Sequence, residues 1–178
     1  FGNTAAVRAI VLYPMNALVT DQLGRLRLLF ADPRIVDKFV NWSGRPARFA
    51  RYTSRTLYPG VRDEDKDKSR LIPIGKYYVS KLEIAQGEPS PEQASAQSLV
   101  MELQKRGKWP AKPDLIEWYY GATRKKGSRW KDAKTGEYKR CVTLPRDPEL
   151  FTRHEVHEAP PDILVTNYSM LEYMLMRP

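Results

Sequence analysis

Positions 9–12 (Ala-Ile-Val-Leu) are four apolar residues in a row, extended by Tyr13. A run this short and continuous is the pattern of a strand buried on both faces, as in a parallel sheet. The period then changes. Val19, Leu23, Leu26 and Phe30 recur at helical spacing and form one apolar stripe. Asn16 suits the N-cap of a helix starting at Ala17, and Asp32-Pro33 suits its end. KFVNW, 38–42, reads as a second strand. KYYVSKLEIAQ, 76–86, reads as a helix closed by Gly87. Ser90-Pro91-Glu92-Gln93 offers a Ser cap, Pro in the first turn and Gln three residues on. Ala96, Leu99, Val100 and Leu103 give that helix its apolar face, and Gly107 ends it. PDLIEWYY, 113–120, predicts a shorter helix. Residues 128–144 predict a β-hairpin turning at Ala-Lys-Thr-Gly. DILVT, 162–166, repeats the buried-strand pattern. Ser169-Met170-Leu171-Glu172 then reads as a capping box, with a helix from about Met170.

Two similar units emerge: AIVLY, then Pro-Met-Asn, then a helix; and DILVT, then Asn-Tyr, then a helix. The expected fold class is α/β with a parallel sheet. Ligands of such sheets bind beyond the carboxyl ends of the strands. Helix N-termini there present unpaired N–H groups and the positive end of a dipole. Asn16, Thr166 and Asn167 are short polar residues able to hydrogen-bond phosphate oxygens at such joints. Each joint alone is equally an ordinary capped helix.

Composition narrows the classes. The chain has 178 residues, of which 42% are hydrophobic, enough for a folded core. No apolar run reaches the roughly 20 residues of a membrane helix, so no membrane partner is expected. The first residues, FGNTAAVR, lack a signal-peptide core. Cys141 is the one cysteine, which excludes an internal disulfide and fits a reducing cytoplasm. Net charge is +9, from 30 Lys plus Arg against 21 Asp plus Glu. That balance suits a polyanionic partner, although solubility alone also accounts for it. His154-Glu155-Val156-His157 misses the His-Glu-x-x-His spacing of a zinc protease, and no metal site is expected. The first residue is not Met and the last three are Met-Arg-Pro. The expectation is a piece of a longer polypeptide.

YPMNALVTDQLGRL, 13–26, resembles motif Ia of superfamily 2 DEAD/DEAH-box helicases. PDILVTNYSMLEYML, 161–175, resembles a later motif on the same RecA-like domain. The two spellings are similar to those of large bacterial helicases with long insertions, several from phage-defence or DNA-repair systems. YTSRTLYPG, 52–60, is similar to a basic segment between the two motifs. The resemblance implies part of a first RecA-like domain of the P-loop NTPase type, interrupted by a long α+β insertion. Residues 1–62 and 160–178 would belong to that domain and 63–159 to the insertion. It implies nucleic-acid backbone contacts at Pro14, Met15, Asn16 and Ala17, with Thr20 and Gln22 one turn on. Arg55, Thr56, Thr166, Asn167 and Tyr168 complete the set. Asn16 stands where relatives often carry Arg or Lys, and Tyr168 where many have Pro.

The family's phosphate loop and its Asp-Glu-x-His segment are both absent. Accordingly no catalytic residue is assigned, and this chain is expected to bind neither ATP nor magnesium. Both would serve the parent protein. The implied function is the strand-gripping portion of an ATP-dependent DNA helicase or translocase in the bacterial cytoplasm. Its partners would be DNA, the rest of the helicase polypeptide and a protein subunit of a defence complex. The alternative is a stand-alone, non-catalytic nucleic-acid-binding or protein-docking module. The predicted hairpin adds a secondary surface of Arg124, Lys125, Lys126, Arg129 and Trp130, where charge and stacking combine. A solvated face with cross-strand packing explains the same residues.

Overall fold

A computed structural model describes residues 4–57, 73–120 and 143–176. Four strands, β1 (Ala9–Tyr13), β2 (Phe49–Tyr52), β3 (Glu149–Leu150) and β4 (Ile163–Asn167), form one sheet in the order β1-β4-β2-β3. Every pairing is parallel. β4 lies between β1 and β2, with Val11 and Arg51 both opposite Val165.

Helices cover both faces, as a parallel sheet requires. On one side lies α1 (Asn16–Phe30), whose predicted stripe is the buried one: Val19, Leu23, Leu26 and Phe30. They pack on Phe49 and Val165, and Phe30 stacks on Phe49 with ring centroids 5.3 Å apart. On the other side, α6 (Arg153–Glu158) brings Val156, and α7 (Tyr168–Met176) brings Met170 and Met174, against Ala50, Leu150 and Leu164.

The strand expected at 38–42 is instead part of helix α2 (Pro33–Ser43). Asp32 accepts the Arg34 backbone N–H at 2.9 Å, and Pro33 sits in the first turn, where its missing N–H costs nothing. Asp32-Pro33 therefore starts a second helix as well as following the first. α2 ends at Gly44, with φ at 73°. The second strand lies further on, among Arg45, Arg48, Arg51 and Arg55, where Phe49, Ala50 and Tyr52 are buried. At the last joint, α7 begins at Tyr168, and its cap is Asn167 rather than the expected Ser169. Asn167 Oδ1 accepts the Met170 N–H at 2.8 Å.

Between β2 and β3 the chain builds a separate core. A π-helical turn (Gly75–Val79) runs into α3 (Ser80–Ala85), followed by α4 (Pro91–Lys105) and α5 (Leu115–Tyr120). Ser90 caps α4 as predicted, accepting the Gln93 N–H at 3.0 Å. Val79, Ala96, Val100, Leu103, Leu115 and Trp118 form the centre of this cluster, with Leu99 half-buried at its edge. Of the hairpin expected at 128–144, all but Thr143 and Leu144 lies outside the described residues. So do Arg124, Lys125, Lys126, Arg129, Trp130 and Cys141.

Three polar clusters tie these parts together. Asp162, with a fully buried side chain, heads β4. It accepts Arg45 Nη1 at 2.7 Å, Arg45 Nη2 at 2.9 Å and the Arg48 backbone N–H at 2.8 Å. Arg8, just before β1, pairs with it too. Glu149 receives a forked contact from Arg27 of α1 at 2.8–3.1 Å, plus the Ala111 N–H at 2.8 Å. Lys112, buried completely, reaches Asp147 at 2.8 Å and Glu155 at 3.0 Å. Glu155 also accepts Trp118 Nε1 at 3.1 Å and the backbone N–H groups of Phe151 and Thr152 at 2.9 Å. The middle of His-Glu-Val-His is therefore a structural anchor. Burial opposes the Lys112 charge, but the two carboxylates outweigh it and hold its pKa above the ordinary value.

The end of α4 meets α1 backbone to backbone. Gly107 adopts φ of 64°, and a Cβ there would lie 2.3 Å from the Gly24 carbonyl oxygen. Gly107→Ala is expected to lose more than about 1 kcal/mol from both strain and clash. Urea denaturation followed through Trp109 and Trp118 fluorescence measures this.

Burial raises the Asp162 pKa, but hydrogen bonds from the Arg45 side chain and the Arg48 backbone N–H, with the charges of Arg45 and Arg8, reverse that and leave it below the usual carboxylate value. The unfolded chain therefore takes up this proton first as pH falls. The stabilisation is whole above about pH 4 and is lost as pH drops through the lower folded pKa. Acid titration should show that loss in the native protein, and Asp162→Asn should lack that component.

Candidate nucleic-acid interface

Because the sheet is parallel, the carboxyl ends of β1, β4 and β2 open on one edge. Three turns leave from it: Pro14-Met15 into α1, Thr53–Thr56 after β2, and Asn167 into α7. An open cleft of about 560 Å³ lies there, lined by Asn16, Ser54, Arg153, Asn167, Ser169, Met170 and Tyr173. The two joints found in the sequence are in direct contact. Asn167 Nδ2 donates to Asn16 Oδ1 at 2.9 Å, across 151 positions of chain.

Asn16 is the first residue of α1 rather than its cap. Met15 holds the cap position in extended conformation, and no side chain caps the helix. The first turn's N–H groups therefore have no capping acceptor, and the end of a 15-residue helix stays electropositive. Pro14, Met15, Ala17 and Thr20 are exposed around it. Thr20 Oγ1 donates to the Asn16 carbonyl at 3.0 Å. Gln22 accepts the Tyr13 hydroxyl at 3.3 Å, bracing the helix against the strand it leaves.

The predicted residues divide by burial. Thr166 is fully buried, and its hydroxyl donates to the Tyr52 carbonyl at 2.6 Å, so it joins strands rather than facing the cleft. Thr56 is also buried and closes the turn after β2. It donates to the Arg51 carbonyl and accepts the Thr53 N–H, both at 2.9 Å. Arg55 is exposed on that turn, and Tyr168 is 56% exposed beside the second joint.

Arg153 was not singled out by sequence reasoning. It lines the cleft with its guanidinium 4.9 Å from the Tyr52 ring centroid and Nη2 donating to the Thr53 carbonyl at 3.0 Å. The only signal was its place beside His154-Glu155, which drew attention to metal chemistry instead. His157 of the same helix hydrogen-bonds the Tyr52 hydroxyl at 2.9 Å. Among the described residues, no group of three His, Cys, Asp or Glu side chains could hold a metal ion.

Fold and cleft together define an α/β protein with a polar, cation-lined cleft at the carboxyl edge of a parallel sheet. The chain is similar to Druantia protein DruE of Escherichia coli (strain UMEA 4076-1), 43% identical over 182 residues. That alignment takes in 96% of this chain but 9% of the relative, so the chain spans less than a tenth of that protein's length. No family model matches the chain, and no solved structure matches it. No helix among the described residues is long and apolar enough to cross a membrane.

Asn167→Ala removes the acceptor for Met170 and the donor to Asn16 together. It is expected to cost about 1 kcal/mol through the lost cap, read as a lower denaturation midpoint.

Proposed function

We propose that this chain is the strand-gripping part of a first RecA-like domain in an ATP-dependent DNA helicase or translocase of a bacterial phage-defence system. The Asn16–Asn167 hydrogen bond is the observation that carries the reading. It joins two motif-bearing joints where neighbouring phosphates would be held. The helix N-terminus of α1, the two Asn amides, Ser54 and the Arg153 charge supply donors and no acid lines the cleft. Such contacts fix the position of a backbone without reading its sequence. Arg55 and Tyr168 flank the path, one for a phosphate and the other for a sugar or base. Thr166 and Thr56 act through the strand and turn they hold.

The likeness to Druantia protein DruE supports the defence-system assignment, and a relative of that length has room for motor parts this chain lacks. ATP and Mg²⁺ would be bound by parts of this chain's own parent protein outside the 178 residues, and the rest of that parent would be the first partner. The intervening segment 73–120, with its own core, fits an insertion in the RecA-like domain.

Asn167→Asp tests the reading. A carboxylate keeps the acceptor for the α7 cap but removes a donor and adds repulsion toward phosphate. In the full-length protein it should weaken DNA binding roughly 10- to 100-fold and lower DNA-stimulated ATP hydrolysis, with the denaturation midpoint nearly unchanged. Full-length protein that binds no nucleic acid at low salt, or binds equally with Asp at this position, overturns it.

A further inference from the structure

A second groove, of about 540 Å³, lies between α1 and the intervening segment. Thr20 and Arg25 line one wall, Tyr77 and Lys108 the other, and Arg51 the floor. Its cations differ in how they are used. Arg25 pairs with Asp21, Arg106 with Glu102 and Arg27 with Glu149. Arg51 and Lys108 make no ion pair among the described residues, and the one hydrogen bond that holds the Arg51 guanidinium goes to the Arg55 carbonyl at 3.3 Å. Arg51 is half-buried on a central strand beside another guanidinium. Burial, then the neighbouring Arg27 charge, pulls its pKa down, and an anion in the groove would relieve both.

Tyr77 stands at the rim with 48% of its surface exposed, braced edge-on by Tyr78 at 4.9 Å between centroids. Tyr78 is fixed in turn by its hydroxyl on the Lys108 carbonyl at 3.2 Å and by Trp109 at 5.3 Å. The Gly24–Gly107 contact locks the two walls together. Thr20 lies one helical turn, about 6 Å, beyond Asn16 on the same helix. The groove therefore lies next to the cleft along α1, although the two share no lining residue.

We propose that this groove binds the next stretch of single-stranded nucleic acid, with Arg51 and Lys108 on phosphates and Tyr77 stacked on a base. The inference rests on the nucleic-acid reading above and adds a contact made by the intervening segment. A cationic channel with an aromatic platform is the general way single strands are held without sequence preference. Duplex DNA gives Tyr77 no free base face, so the groove favours a single strand.

The test uses the full-length protein and a fluorescent oligothymidylate at several salt concentrations. Lys108→Gln with Arg51→Gln should weaken binding and reduce the salt slope by about 1.4, at roughly 0.7 per phosphate contact on single strands. Lys108→Gln alone, an exposed change, should remove about half of that and guards against misfolding. Tyr77→Ala should weaken single-strand binding roughly 5- to 150-fold, leaving the salt slope and duplex binding unchanged. Unchanged affinity and slope in all three variants, while Asn167→Asp still loses binding, overturn the groove and spare the cleft. A wild-type protein that binds duplex but not the oligonucleotide overturns the groove alone, and one that binds neither overturns both.

Discussion

β4 lies between β1 and β2, so β1 has no partner, and β2 only the two-residue β3, until residues 163–167 arrive from far along the chain. Asp162 governs that arrival. Its carboxylate is buried, and it gathers Arg8 ahead of β1 with Arg45 and the Arg48 N–H ahead of β2. A single anion thereby aligns the leading ends of three strands. A register slip by one residue would turn every side chain of β4 to the other face and draw Asp162 away from its donors. Five residues later, Asn167 meets Asn16 at the opposite edge. Alignment at one end of β4 thus sets the geometry of the cleft at the other.

The intervening segment is attached by the same kind of device. Arg27, Glu149 and Ala111 join α1 to β3 and the segment, and Lys112 joins Asp147 to Glu155. Buried ion pairs lose much of their attraction to desolvation. Their value here is in position: each permits one arrangement of helices against the sheet, and removing one partner leaves a buried charge unmatched. Lys112 also lies 4.9 Å from the centre of the Trp118 ring, so the segment's own core shares this anchor.

The elements that could be read from the sequence were those whose signal is local. The α1 stripe, the Ser90 cap of α4 and the continuous apolar runs of β1 and β4 each depend on near neighbours, and each is where it was expected, except that β1 is an edge strand with Ile10 exposed rather than buried on both faces. KFVNW inside α2 reads as a strand because it is rich in strand-forming types, while the stronger signal is Asp32-Pro33 several residues earlier. β2 hid among arginines because Arg51 alternates with buried neighbours. The cleft was legible as two joints, but not as one place, since the Asn16–Asn167 contact depends on strand order. Thr166 and Thr56 carried the right chemistry for a ligand, yet the sheet and a turn use their hydroxyls. Arg153 became visible only when α6 packed beneath β2.

Strand order also decides what the basic composition means. Part of the 30 Lys plus Arg is already committed to carboxylates inside the fold, Arg27, Arg45 and Lys112 among them. Those charges cannot serve a polyanion without dismantling the structure. What remains for a partner is set by which cations lack a carboxylate and where they face. Arg153 faces the cleft, and Arg51 and Lys108 face the groove that follows it along α1. The two sites share one helix, whose open N-terminus points at the first and whose flank walls the second. A phosphate chain laid along α1 would therefore meet the open helix end and Arg153 first and Arg51 and Lys108 next, with Asp21 of the groove wall already paired with Arg25, and it is this spacing, more than the net charge, that argues for an extended polyanion over a small anion.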